Sequence, residues 1–309
     1  MTWAIKARRM SNGSRSAVVQ DAIVVIDDGR ISAAGPASQV SVPPGAEVMN
    51  VRDRTAMPGL IDAHVHILLS GSLSSGAEDR AATESQALLQ GVRNAQLALT
   101  KGLTTVRDCG GRNYLSLTLR DFISRGGIAG PRLICSGPVI TTTAGHLWWS
   151  GIECDTVDEL RRTARTLVKH GVDFIKLMGT GGTATPGSNP EGSQYDAAGL
   201  KALADDAHRV GKKVAVHVHG VEATRIAVEV GIDTLEQVPF RAHGGIEYDE
   251  RFVDEIIRKG LIVSLAMAMP ATWYACAPRR CARPACTRAI SGRPAMRRSR
   301  RCTPRAPSW

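Results

Sequence analysis

A chain of 309 residues, 43% hydrophobic and 22% charged, can bury a full core as one large domain or two. No apolar run approaches the roughly 18 residues of a membrane span. The net charge of +10 is confined to residues 270–309, where ten arginines stand without lysine, aspartate or glutamate, so the remainder balances at 29 basic against 29 acidic side chains.

A body without excess charge argues against a nucleic-acid or acidic-surface binder. Outside the tail, Cys109, Cys135 and Cys154 fit reduced core thiols rather than a disulfide framework. The start, Met1-Thr2-Trp3-Ala4-Ile5-Lys6, lacks the apolar core of a secretory signal, and a cytoplasmic protein is expected.

Residues 1–57 read as a small β-rich domain. Residues 22–26 form a strand, Asp27-Asp28-Gly29 a tight hairpin turn, and 30–34 the return. Pro43-Pro44-Gly45 breaks the chain before a further short strand at 47–51.

From Leu60 the rhythm changes to short apolar runs alternating with amphipathic helical stretches. The runs are 60–66, 104–109, 132–137, 174–178, 214–219, 234–238 and 262–266. Helices between them are expected to stop at Gly102, Gly171, Gly211, Gly231 and Gly260. Thr156-Val157-Asp158-Glu159 has the form of a capping box.

Repeated βα units imply a parallel sheet, and the absence of a dinucleotide glycine fingerprint favours a (β/α) barrel over a doubly wound sheet. Seven units are readable, so the expected α/β fold is a (β/α)8 TIM-type barrel over 58–268, incomplete by one unit. Residues 269–309 lose all periodicity and, rich in Arg, Pro, Ala and Cys, resemble GC-rich coding DNA read out of frame. A disordered or out-of-frame tail is the expectation.

Barrel chemistry sits at the C-terminal ends of strands. In Met57-Pro58-Gly59-Leu60-Ile61-Asp62-Ala63-His64-Val65-His66-Ile67-Leu68, residues two apart on a strand share a face, so His64 and His66 reach one point. They are either transition-metal ligands at the end of a buried strand or solvent-facing histidines on an edge strand. His217-Val218-His219 repeats the pattern, and Gln237 ends the following strand.

Lys176 lies inside the apolar run Phe174-Ile175-Lys176-Leu177-Met178. It is either a cation paired with Glu236 or Asp108, or a neutral amine that has taken up CO2. The carbamate so formed offers two anionic oxygens, enough to bridge two metals. His146 lies in the loop after the third strand, while His208 and His170 are expected to face solvent. Gly179-Thr180-Gly181-Gly182 matches no phosphate loop and reads as a flexible mouth loop.

Taken in order, the His-Val-His run, Phe174-Ile175-Lys176, Val214-Ala215-Val216-His217-Val218-His219-Gly220 and Gly231-Ile232-Asp233-Thr234-Leu235-Glu236-Gln237 resemble the amidohydrolase superfamily. The likeness is to its imidazolonepropionase-related branch, with Xaa-Pro and Xaa-Arg/Lys dipeptidases and ochratoxinase-type amidases. It covers about residues 1–266 and implies a β-sandwich built from both chain ends beside the barrel.

The resemblance implies two divalent metals, zinc by preference. His64 and His66 are to hold the more buried one, the Lys176 carbamate to bridge, and His217 to hold the second. His146 and His219 are to face a small amide or dipeptide substrate, which a metal-activated hydroxide attacks. A homo-oligomer is left open.

Two departures set the expected activity low. Gln237 stands where the family has a metal-binding histidine. The strand-eight aspartate, which binds metal and takes the proton from water, has no counterpart, which leaves the catalytic base unassigned. His243 stands nearby as a local substitute for a missing ligand, with nothing in the sequence to argue for it. The competing reading is a non-catalytic barrel whose arginine tail binds nucleic acid or acidic surfaces.

Overall fold

The computed structural model describes residues 1–265 apart from 15, 16, 73 and 244. The tail expected at 269–309 lies outside the described residues, as do the last three residues expected in the barrel. The described residues all fall within one compact unit.

Four strands come first: β1 (Thr2–Met10), β2 (Val19–Asp27), β3 (Arg30–Pro36) and β4 (Glu47–Ala56). They form one sheet in the order β3-β2-β1-β4, antiparallel except for the parallel β1–β4 pair. The β2–β3 hairpin turns at Asp28 (φ 46°) and Gly29 (φ 74°), two left-handed residues whose twist matches that of the strands. Ala4, Ala7 and residues 22–25 are buried, whereas β4 is almost wholly exposed. A sandwich is expected here; residues 1–56 supply a single sheet.

The βα rhythm follows. Strand β5 (Leu60–Val65) leads to α1 (Ser75–Ala81) and α2 (Glu84–Thr100), then β6 (Leu103–Asp108), α3 (Leu115–Ser124) and β7 (Arg132–Cys135). Two short strands, β8 (Ile140–Thr141) and β9 (Ile152–Glu153), precede α4 (Val157–Lys169), β10 (Ile175–Met178), α5 (Ala197–Arg209) and β11 (Val214–Gly220). Then come α6 (Val221–Val230), β12 (Thr234–Ala242), β13 (Gly245–Ile246), α7 (Glu250–Arg258) and β14 (Ile262–Ser264).

β5, β6 and β7 pair in parallel, as do β10, β11, β12 and β14. These are the seven strands expected from the apolar runs, in a TIM-type α/β arrangement. The five predicted helix-stop glycines all have positive φ, from 67° at Gly260 to 85° at Gly102.

β10 and β11 are buried at every position. A strand covered on both faces carries no alternation, which is why it reads as a continuous apolar run. α4 turns Leu160, Ala164 and Leu167 inward and α5 turns Leu200, Leu203, Ala204 and Ala207, each set at helical spacing.

β5 departs from expectation. Leu60 and Ile61 are 48% and 69% exposed, and burial begins only at the His64 end of the strand. Among the described residues β5 pairs on one side only, with β6, so its first half lies at a sheet edge.

The capping box of α4 is formed as expected. Thr156 Oγ1 accepts from the Glu159 amide at 3.3 Å, and Glu159 Oε2 accepts from the Thr156 amide at 2.9 Å. Replacing Thr156 by Ala should cost about 1 kcal/mol. Urea denaturation checks this: the midpoint is expected to fall at unchanged slope, and an unshifted midpoint contradicts it.

Candidate metal centre

β5, β10, β11 and β12 contribute the nitrogen donors of one cluster; the strand expected to end at Gln237 runs on to Ala242. His64 is the penultimate residue of β5, and His66 follows directly after the strand. Their rings meet edge to face at 5.6 Å between centroids. His66 Nδ1 lies 2.7 Å from the Gly110 carbonyl, which can only accept, so Nδ1 carries the proton and Nε2 keeps its lone pair. His64 Nδ1 lies 2.6 Å from Glu236 Oε2.

On β11, His217 and His219 stand 4.4 Å apart, and the His146 ring packs 4.6 Å from His217. His146 Nδ1 meets Thr185 Oγ1 at 2.8 Å while its amide donates to Gln194 Oε1 at 2.9 Å. His219 Nδ1 is buried without a hydrogen-bond partner.

Lys176 on β10 is 0% exposed. Its Nζ meets the Met178 sulfur at 3.8 Å and, among the described residues, forms no ion pair. Neither pairing expected for the cation is formed. Glu236 gives one oxygen to His64 and the other to Arg107, whereas Asp108 Oδ1 accepts from the Ile67 amide and its Oδ2 has no partner. Burial pushes the ammonium down to about 8, against the opposing pull of Cys109 and Glu236.

The lysine charge reaches the whole cluster. Burial lowers all five imidazoles, and Lys176 lowers each further. They are neutral near pH 7, the protonation state in which imidazole ligates metals. Burial would raise the Glu236 carboxyl, but the His64 hydrogen bond and the charges of Lys176 and Arg107 outweigh it and hold the group at about 2.

The donor set fits a divalent cation on three counts. Two imidazoles direct an Nε2 lone pair into the cluster, that of His64 facing the Gln237 amide nitrogen at 3.5 Å, and among the described residues a buried amine lacks a counter-ion and two buried polar atoms, His219 Nδ1 and Gln237 Oε1, lack partners. Gln237 is itself left-handed (φ 75°), as are Val238 (46°) and Phe240 (53°), a conformation costly for such side chains and found at functional sites.

The remaining histidines lie elsewhere. His243 is exposed and faces Glu191 at 3.6 Å, His208 pairs with Asp233 at 2.7 Å, and His170 stacks on Tyr114 at 3.8 Å. The expected flexible loop at 179–182 is instead a packed cover. The Gly181 amide bonds the Asn189 carbonyl at 2.9 Å, and a Cβ on Gly182 would lie 2.3 Å from the His146 ring. Glycine serves close approach here.

Arg107 escapes the sequence reading, although an arginine within the apolar run 104–109 is the same kind of signal as Lys176. Cys109 is missed as well. Its Sγ, with a ligand atom each from His64 and Glu236, forms a group within 4.8 Å of one another. Burial and the Glu236 charge push the Cys109 thiol up to about 12.

A sequence profile described as the amidohydrolase family matches residues 55–275. The Aspergillus niger ochratoxinase is 29% identical over 213 residues, covering 60% of this chain and 43% of its own. The Micrococcus luteus imidazolonepropionase is 39% identical over 70 residues, 23% of this chain and 17% of its own. A solved Xaa-Pro dipeptidase with methionine in its active site superposes at TM-score 0.75 and 25% identity, over 86% of this chain and 66% of the other. The ochratoxinase structure superposes at TM-score 0.75 and 24% identity, a likeness of fold. The chain thus spans under half the length of these curated relatives.

The depressed imidazoles make stability depend on pH. Burial, with neighbouring charges, holds His66 and His146 at about 3 and His219 at about 4, against 6.5 for free imidazole. The unfolded chain binds these protons first, so their stability is present above 6.5 and lost as the pH falls towards the folded values. In metal-free protein, His146→Gln should flatten the stability profile between about pH 4 and 6 by roughly 1.4 kcal/mol per pH unit. Denaturation curves of the two proteins that fall in parallel would contradict this.

Proposed function

The chain belongs to the amidohydrolase family, and on that premise we propose that it hydrolyses an amide or dipeptide-like C–N bond with two divalent metal ions, zinc by preference. The observation that carries the reading is Lys176, a fully buried amine that has no counter-ion among the described residues and sits with five neutral imidazoles. The neutral amine adds to CO2 with loss of a proton, giving a carbamate with two anionic oxygens for the metals.

His64, His66 and the Lys176 carbamate would hold the first ion, and His217 and Gln237, with the same carbamate, the second. His146 and His219 face the substrate. The bound metals supply an activated water nucleophile and a Lewis acid for the amide carbonyl. The protein keeps these five imidazoles neutral, packs the 179–182 cover against His146, and directs the Nε2 atoms of His64 and His66 into the cluster.

Turnover is low in this reading. An amide oxygen at Gln237 is a weaker ligand than imidazole, and no carboxylate takes the strand-eight position among the described residues. Loss of a general acid or base alone costs about 10²–10⁴ in rate. The domain division in this reading falls at 57/58, between β4 and β5, and the substrate is a small molecule met in the cytoplasm.

The test is metal analysis of the purified full chain, with hydrolysis of a panel of N-acyl amino acids and dipeptides. Bound zinc, slow hydrolysis, and loss of both with chelator or with Lys176→Ala are expected. A metal-free chain, or hydrolysis indifferent to chelator, overturns the reading. Fast hydrolysis overturns the low turnover alone.

A further inference from the structure

Glu236 divides one buried carboxylate between two side chains. Oε2 faces His64 Nδ1 at 2.6 Å, and Oε1 accepts from Arg107 Nη1 at 2.7 Å. Arg107 is fixed in turn: the same Nη1 reaches the Ala63 carbonyl at 3.2 Å, and its guanidinium lies 4.1 Å over the Phe174 ring. Three strands, β5, β6 and β12, therefore meet at this carboxylate. The other face of His64 presents Nε2 to the Gln237 amide nitrogen at 3.5 Å.

We infer that Glu236 is a positioning residue for His64: it fixes the ring with its proton on Nδ1 and its Nε2 lone pair open to the site, and Arg107 fixes Glu236 in turn. The role deepens the proposed metal site and rests on it for its use. The tautomer itself is a property of the protein alone.

An ionised carboxylate only accepts hydrogen bonds, so the shared atom of His64 donates. Ligating histidines commonly donate their second ring N–H to a carboxylate in this way, which orients the ring and raises its basicity. An amide at position 236 would behave differently. Arg107 only donates and claims the amide oxygen, so the NH2 group turns to His64 Nδ1. That nitrogen must then accept, the ring proton moves to Nε2, and the lone pair leaves the site.

The competing assignment is Glu236 as a direct ligand with Cys109 and His64, whose donor atoms lie within 4.8 Å of one another. Arg107 and Lys176 already place positive charge on that carboxylate, and burial keeps the Cys109 thiol protonated. Both disfavour a divalent ion on this side of His64.

The experiment is long-range ¹H–¹⁵N correlation on the full chain labelled with ¹⁵N-histidine and freed of metal, with His64→Gln to assign the signal. The wild type should show His64 protonated on Nδ1, and Glu236→Gln should invert the tautomer. Zinc affinity should fall about 10–100-fold in Glu236→Gln and stay unchanged in Cys109→Ala.

His64 protonated on Nε2 in the wild type overturns the inference without any variant, even if Glu236→Gln fails to fold. So does an unchanged tautomer in folded Glu236→Gln. A loss of zinc in Cys109→Ala equal to that in Glu236→Gln would make Glu236 a ligand instead. A wild type that binds no zinc, yet shows the Nδ1 proton and its inversion, supports the positioning role while sinking the metal reading.

Discussion

Keeping a protonated amine inside a protein without a counter-ion costs several kcal/mol, and Lys176 occupies such a position at the centre of the candidate site. Its surroundings answer that constraint. Glu236, whose charge acts on the lysine, is held by His64 and Arg107, so it is not free to neutralise it. The imidazoles around it stay neutral because burial and the lysine charge act in the same direction. An amine pushed towards neutrality in this way is suited to react with CO2, and the resulting anion is suited to hold cations.

The scaffold delivers these groups through simple rules. Parallel strands buried on both faces place alternate residues at one point, so His217 and His219 emerge together from β11. The cover at 179–182 is shaped by the absence of side chains. Gly182 lets the backbone lie against the His146 ring, and Gly181 lets it lie against Asn189. Midway along β12 the order is less comfortable: Gln237, Val238 and Phe240 adopt left-handed backbone.

Much of this was legible in the sequence. Apolar runs and helix-stopping glycines gave all seven parallel strands, because periodicity and left-handed glycines are local signals. The two His-Val-His pairs and Lys176 were legible for the same reason, being anomalies within apolar runs. The role of Glu236 was not, since a carboxylate 172 positions from His64 gives no local sign of whether it pairs with an imidazole or with an ammonium. Arg107 was overlooked although, like Lys176, it is a charge within an apolar run. The packed cover read as flexible because glycine marks both loose loops and close approaches. The exposed half of β5 read as buried because apolar residues alone do not reveal which strands lack a neighbour on one side.

The central claim is that Lys176 carries a carbamate. The most direct measurement is ¹³C NMR of the zinc-loaded full chain in ¹³C-bicarbonate, compared with Lys176→Ala. The account predicts a protein-bound carbamate carbonyl signal in the wild type and none in the variant. A wild type without that signal, or a signal that survives the loss of Lys176, contradicts it.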